Sequence, residues 1–149
     1  MGYYDVDKAN ENVAPRNATP TTNGFNSVGD YQLSGLPWLT ASVITTTTQG
    51  YGFQKVARFI HIINHAAAGT YLRIGFTEAG VNLGNYILLD GQKDIRLDYR
   101  VNSVFLKAHT ATLSCSLAAG LTGIDSNQMP VLTGSAGSSP IGGAWLGVG

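Results

Sequence analysis

Three histidines are the first candidates for chemistry in this chain, at positions 61, 65 and 109. His61 and His65 have the four-residue spacing at which two imidazoles bind one metal ion when they lie on a helix. Their neighbours alternate as in a strand, however, and four strand residues separate two side chains by about 13 Å. That distance is too long for one ion, so we predict no metal site and place these histidines at the surface or at the edge of the core.

Two arrangements resemble nucleophilic sites. The string Thr133-Gly134-Ser135-Ala136-Gly137 lacks the first glycine of a G-x-S-x-G elbow, and no helix follows it. Cys115 and His109 would form a thiol–imidazole pair, but Cys115 falls on the inward side of an alternating stretch, where cysteines are usually inert. The chain has one cysteine, which excludes an internal disulfide. We predict that the protein is not an enzyme.

The carboxylates do not form a catalytic pair either. Asp94 and Asp98 have arginines between them, which favours ionised, paired surface charges over a general acid. Near the N-terminus, a segment that contains Asp5, Asp7, Asn10 and Glu11 lacks the glycine and the bidentate acid of a calcium loop. We therefore predict no cofactor and no metal.

Composition and charge narrow the classes of partner. Of 149 residues, 44% are hydrophobic and 12% are charged, about half the usual charged share, and nine basic residues balance nine acidic ones. A neutral chain has no bulk attraction for nucleic acid or for anionic membranes, so neither is expected as a partner. A surface so poor in charge is poorly protected against association, which suggests that partner chains cover much of it.

Two groups of aromatic residues offer alternatives. Basic and aromatic residues that alternate would suit single-stranded nucleic acid, but the balanced charge argues against this use of Arg58, Tyr71, Arg73, Tyr99 and Arg100. A row of exposed tyrosines, formed by Tyr51, Tyr71 and Tyr86, would suit a carbohydrate-binding module. Core or interface packing is the more frequent use of such residues.

Targeting signals are not apparent. The first residues lack the basic and apolar regions of a secretory signal, and the chain has no run of eighteen apolar residues. We expect a soluble protein that is made in the cytoplasm.

The central part of the chain has the period-two alternation of strands, with Gly, Asn and Asp between the apolar stretches. In residues 112–121 the apolar side chains fall on one face, and in 93–100 Ile95, Leu97 and Tyr99 face inward. Asp90-Gly91 predicts a hairpin turn, Asn102-Ser103 a further turn, and residues 80–84 a loop. The predicted strands are 42–48, 51–55, 58–64, 71–77, 85–89, 93–100, 104–107 and 112–121.

Short strands joined by turns predict an all-β fold, an antiparallel β-sandwich with the jelly roll as one form of it and a barrel as the alternative. We assign an extended N-terminal arm to residues 1–33, the sandwich to 34–132 and a flexible Gly/Ser-rich tail to 133–149. Residues 32–42 are expected to form a bridge into the first strand. Aromatic residues in the arm, the bridge and the tail are predicted to contact partners: Tyr3, Tyr4, Phe25, Pro37, Trp38 and Trp145.

Several segments resemble a structural protein family of tailed phages, particularly those of marine hosts. The likeness covers residues 34–135, about two thirds of the chain. The segments are Ser34-Gly35-Leu36-Pro37-Trp38-Leu39-Thr40-Ala41-Ser42, Tyr71-Leu72-Arg73-Ile74-Gly75-Phe76, Asp94-Ile95-Arg96-Leu97-Asp98-Tyr99-Arg100 with Val104-Phe105-Leu106, and Ser116-Leu117-Ala118-Ala119-Gly120-Leu121-Thr122 with Met129-Pro130-Val131-Leu132-Thr133-Gly134-Ser135.

The resemblance implies a non-enzymatic virion protein that decorates and cements a phage capsid. It further implies contact with the major capsid protein and with copies of itself, with a homotrimer favoured, and a position on the capsid surface. No catalytic residues are carried over from the family. The alternatives are a neck, tail or fibre component of the virion, or a carbohydrate-binding sandwich module.

Overall fold

The computed structural model describes residues 35–129. The predicted arm and tail therefore lie outside the described residues. So do residue 34 at the start of the predicted sandwich and residues 130–132 at its end. The elements in chain order are β1 (Leu36–Ile44), β2 (Gln49–Asn64), β3 (Leu72–Gly75), α1 (Glu78–Leu83), β4 (Ile87–Leu89), β5 (Lys93–Leu97), β6 (Val101–Ala108), β7 (Leu113–Asp125) and a 3-10 turn (Ser126–Gln128).

The strands form one antiparallel sheet in the order β1-β7-β2-β6-β3-β4, with β5 also paired to β2. The long β2 joins two halves of this sheet. Along one side it pairs first with β6 through residues 49–57 and then with β5 through residues 60–64, while β7 lies along its other side. The register shifts between Gly52 and Ala57, before the partner changes from β6 to β5, and such irregularities bend and twist a strand.

The core lies between the two halves, so the fold is the sandwich-like all-β fold that the alternation predicts. The inward residues of β7 are buried as expected, including Leu113 and Leu117. At one end Ala108 N–H donates to the Thr45 carbonyl at 2.9 Å and joins the end of β6 to the end of β1. The largest fully buried apolar side chains are Ile44, Ile60, Ile62, Leu72, Ile74, Leu106, Leu117 and Ile124.

The first strand differs from the prediction. The segment expected to be a bridge is β1 itself, and most of the predicted strand 42–48 is the turn that follows it. An edge strand tolerates Pro37, because one side of such a strand needs no donors. In the turn, Thr47 N–H donates to Thr45 Oγ1 at 3.2 Å, and such local bonds compete with strand pairing.

The prediction also divided β2 wrongly and missed α1. The predicted strands 51–55 and 58–64 are one strand of 16 residues. The predicted loop 80–84 is largely the helix α1, which begins after Thr77, whose hydroxyl accepts from Gly80 N–H at 3.0 Å. It ends at Gly84, whose φ of 124° favours glycine.

Three finer predictions are wrong. Asp90-Gly91 is a turn but not a hairpin, because β4 pairs with β3 whereas β5 pairs with β2. Asn102 and Ser103 lie within β6 and do not turn the chain. Tyr99 is 52% exposed instead of inward-facing, because β5 ends at Leu97.

Candidate assembly surfaces

The half of the sheet formed by β1, β7 and β2 carries apolar side chains on its solvent side as well as in the core. Leu39 is 76% exposed and Val43 is 61% exposed, and both lie on β1. A shallow groove of about 390 Å³ runs beside Leu39 and is lined also by His61, Ile63 and Ala118. We call the exposed and half-buried apolar residues of this side the outer apolar face: Leu39, Ala41, Val43, Phe59, Ile63 and Ala118.

Among the described residues, the edge of the sheet at β1 has little protection against pairing. None of the nine residues Leu36–Ile44 is charged, although natural edge strands commonly carry charges, above all lysine. Pro37 is the one protective feature, and it stands opposite Gly120 at the start of the strand. The exposed aliphatic face and the unprotected edge therefore coincide on one strand.

Polar groups border the outer apolar face on the side of β5. His61 Nε2 lies 2.7 Å from Asp94 Oδ2, and Arg96 Nε donates to Asp98 Oδ1 at 3.1 Å. The Arg96 guanidinium also lies 4.1 Å from the centre of the Phe59 ring. This arrangement of apolar centre and polar margin is the one that protein interfaces commonly show.

The structure separates the interface residues predicted from the sequence. Pro37 is exposed on β1, whereas Trp38 is half-buried and points to the core side. The Trp38 ring packs edge-on against Phe53 at 5.0 Å and against Tyr51 at 6.4 Å. The predicted contacts of Tyr3, Tyr4, Phe25 and Trp145 lie outside the described residues. Sequence reasoning missed Leu39 and Val43. The signal for them is that apolar residues in 36–44 fall on both faces of the strand.

A second group of side chains surrounds Arg73 on the other half of the sheet. Arg73 Nε donates to His109 Nδ1 at 2.9 Å, and its guanidinium lies 4.5 Å from the centre of the Tyr86 ring. Tyr71 packs edge-on against His109 at 6.3 Å. Lys107 is the cross-strand partner of Arg73. We call Tyr71, Arg73, Tyr86, Lys107 and His109 the basic patch.

The predicted row of three tyrosines does not form a single group. Tyr71 and Tyr86 belong to the basic patch, whereas Tyr51 packs against Trp38 and donates to Gln49 Oε1 at 3.0 Å. A glycan platform would need all three rings on one surface. The tyrosines therefore stabilise two different parts of the domain.

The three histidines each have a separate partner. His61 contacts Asp94, His65 Nε2 lies 2.8 Å from Ser116 Oγ, and His109 accepts from Arg73. The thiol–imidazole pair of Cys115 and His109, which the inward position of Cys115 argues against, is not formed, because His109 contacts Arg73 instead. Within residues 35–129 no group of three or more His, Cys, Asp or Glu side chains is arranged to hold a metal ion. The string at 133–137 and the acidic residues 5–11 lie outside the described residues.

Cys115 is buried as predicted, with 2% of its surface exposed. Burial raises the pKa of its thiol from 9.0 to about 11, because the thiolate would lose its hydration. A thiol in this state is a weak nucleophile at neutral pH. Its side chain therefore acts as a small apolar group of the core.

The raised pKa predicts a loss of stability at alkaline pH. The unfolded thiol loses its proton near pH 9, whereas the folded thiol keeps it up to about pH 11. The free energy of unfolding is therefore expected to fall across this window. Below the window, ionisation of the Cys115 thiol does not affect it. Urea unfolding of the wild type and of Cys115→Ala at pH 8 and pH 10.5 measures the effect. The stability of the variant relative to the wild type is expected to be higher at pH 10.5 than at pH 8. Equal alkylation rates with and without denaturant at pH 8 would contradict the burial of this thiol.

No protein-family model matches the sequence, and no curated protein matches it. Among solved structures the chain is similar to a Bacillus endospore appendage, from what is described as a novel family of disulfide-linked pili. The identity is 14% and the TM-score is 0.38, and the match covers 60% of this chain and 91% of the other. Within residues 35–129 no helix has the length and the apolar character needed to cross a membrane.

Proposed function

We propose that the protein is a non-enzymatic structural subunit that decorates and stabilises a phage capsid. The observation that carries the proposal is the outer apolar face, on which Leu39 and Val43 lie exposed along an uncharged edge strand. An exposed apolar surface of this kind, bordered by polar groups, is typical of a surface that another protein covers. The sandwich-like fold supplies the rigid support for it.

The capsid as the partner is supported by the resemblance of residues 34–135 to virion proteins of tailed phages. The proposed partners are the major capsid protein and further copies of this chain, with a trimer as the favoured assembly. The low share of charged residues, 12%, agrees with a chain whose surface is largely covered in the particle.

The first test of this proposal is the number of copies of this chain for each copy of the major capsid protein in purified particles, measured by quantitative mass spectrometry. A ratio on the order of one to one, or one trimer for each capsomer, is expected for a decoration protein. A handful of copies in each particle would instead indicate a neck, tail or fibre component. Absence from the particle would overturn the proposal.

A double substitution on the outer apolar face is expected to weaken attachment to the particle. Leu39→Ser with Val43→Ser removes two exposed aliphatic side chains that attachment would bury, at a cost of roughly 2–3 kcal/mol. The dissociation constant for particles stripped of the protein should rise by roughly 30- to 150-fold. Co-sedimentation of the purified variant with stripped particles measures this change.

Leu83→Ser is the matched control for this experiment. Leu83 is 84% exposed, more than either β1 residue, but it lies on α1, away from the outer apolar face. The control should bind as the wild type does. Equal binding by the double variant and the wild type would show that β1 does not face the particle.

A further inference from the structure

Two cations lie side by side on the outer surface of the second half of the sheet. Arg73 on β3 is the direct cross-strand partner of Lys107 on β6. Each stands between buried residues of its strand, so both side chains are on the solvent side. Like charges directly opposite each other destabilise a sheet unless an anion compensates them.

The side chain of Arg73 is held in place by its neighbours. His109 accepts from its Nε, and the Tyr86 ring lies beneath its guanidinium, 4.5 Å away. Lys107 Nζ donates to Asn82 Oδ1 at 2.7 Å. Within residues 35–129 neither cation has a carboxylate in ion-pair distance, and the two terminal Nη groups of Arg73 have no hydrogen-bond acceptor. A positioned guanidinium with free terminal donors suits a carboxylate.

The complementary charge lies in the same chain. Residues 35–129 contain seven basic and five acidic residues, whereas residues 1–34 contain two basic and four acidic residues. Three of those four acids are close together, at Asp5, Asp7 and Glu11, with Lys8 as the one base among them. Tyr3 and Tyr4 precede these acids in the sequence and are aromatic, as Tyr71 and Tyr86 of the basic patch are.

We propose that the basic patch binds residues 3–11 of a second copy of this chain. The proposal rests on the proposed function, since it assumes that the protein acts as an assembled subunit. Gly35 immediately precedes β1, which lies at one end of the strand order, whereas the cations of the patch lie on β3 and β6, toward the other end. In the proposed head-to-tail contact the N-terminal segment of one copy lies on the patch of the next, and such contacts form rings, trimers included, when the rotation between copies closes.

The length of the segment allows this contact. The 23 residues between Glu11 and Gly35 span up to about 80 Å when extended, which exceeds the diameter of a domain of this size, roughly 30 Å. Carboxylates of residues 5, 7 and 11 would pair with Arg73 and Lys107. The contact adds to the interaction of the outer apolar face and does not replace it.

Charge reversal in the full-length chain tests the proposal. One variant carries Arg73→Glu with Lys107→Glu, and the other carries Asp5→Lys with Asp7→Lys. Each variant alone is expected to associate at least tenfold more weakly than the wild type in sedimentation velocity, since both of its surfaces then have the same sign. An equimolar mixture is expected to restore association, because each variant then meets its complement on a different molecule.

The variants taken singly distinguish a second copy from docking within one chain, because loss of a contact within one chain would leave the association between copies unchanged. Self-association of both variants at the wild-type level, or a mixture that stays dissociated, would overturn the proposal. Lys93→Glu is the control, because Lys93 is exposed on β5 and is not part of the basic patch. This substitution changes the net charge by the same amount as Lys107→Glu. Lys107→Glu alone leaves the Arg73–His109 contact in place, so it keeps the test valid if the double variant misfolds.

The outcome is separable from that of the proposed function. The copy number in particles and the effect of the β1 substitutions concern attachment, whereas the charge reversals concern contact between copies in solution. Variants that attach to particles but fail to associate, with no rescue on mixing, would refute only the inter-copy contact. Normal rescue with no attachment would refute only the capsid role.

Discussion

Replacement of Asn64 with leucine is expected to lower the free energy of unfolding by about 3 kcal/mol, because one buried and two part-buried backbone groups would lose their partner. The side chain is fully buried at the end of β2. Its Nδ2 donates to the carbonyls of Thr70 and Leu89 at 2.9 and 3.1 Å, and its Oδ1 accepts from Ala66 N–H at 3.1 Å. One side chain thus joins the ends of β2 and β4 to the loop before β3.

Urea unfolding followed by tryptophan fluorescence or circular dichroism measures this loss. Asn85→Leu is the matched control, since Asn85 is exposed and the same change there is expected to move stability by at most about 0.5 kcal/mol. A midpoint for Asn64→Leu that equals that of the control would show that water or rearranged backbone satisfies the freed groups.

Gly91→Ala is the second substitution with a large expected effect, about 2–3 kcal/mol of destabilisation. A Cβ at this buried position would lie 2.0 Å from the Ala67 carbonyl oxygen and 2.6 Å from that of Ala66. Both are backbone atoms, so the two loops must move apart. Movement would break the bond from Gly69 N–H to Asp90 Oδ1, now 2.7 Å long, which holds the loops together.

Gly52→Ala serves as the control for that substitution. A Cβ at Gly52 has no atom within 4 Å, and its backbone angles suit any residue. Differential scanning calorimetry on the purified proteins should show a lower Tm for Gly91→Ala and little change for Gly52→Ala. Equal Tm values would mean that the loop of residues 65–71 moves aside with little loss of stability.

These two sites illustrate what pattern reading misses. Asn64 looks like the polar end of a strand, and Asp90-Gly91 looks like a hairpin dipeptide. Their importance comes from contacts with residues distant in the chain, such as Leu89 for Asn64 and Ala67 for Gly91. Period and turn propensity describe neighbours in sequence, so they contain no information about such pairs.

The candidate surfaces were predictable only in part. The low share of charged residues predicts association with partner chains, and within 36–39 Pro37 and Trp38 are predicted to be contacts. Of the two residues singled out there, Pro37 lies exposed, whereas Trp38 packs on Phe53 in the domain. Alternation places neighbouring residues on opposite sides of a strand. Which of the two sides faces the core depends on how the strands pack together.

The sequence by itself determined the all-β class, the inward face of β7 and the burial of Cys115, because alternation is a local property of the chain. The tertiary structure decided that β1 pairs with β7 at the edge of the described sheet and that its side bearing Leu39 and Val43 faces away from the core. It also decided that Arg73 meets Lys107 and His109. Strand order and register follow from the packing of the whole core, and residues far apart in sequence settle them together.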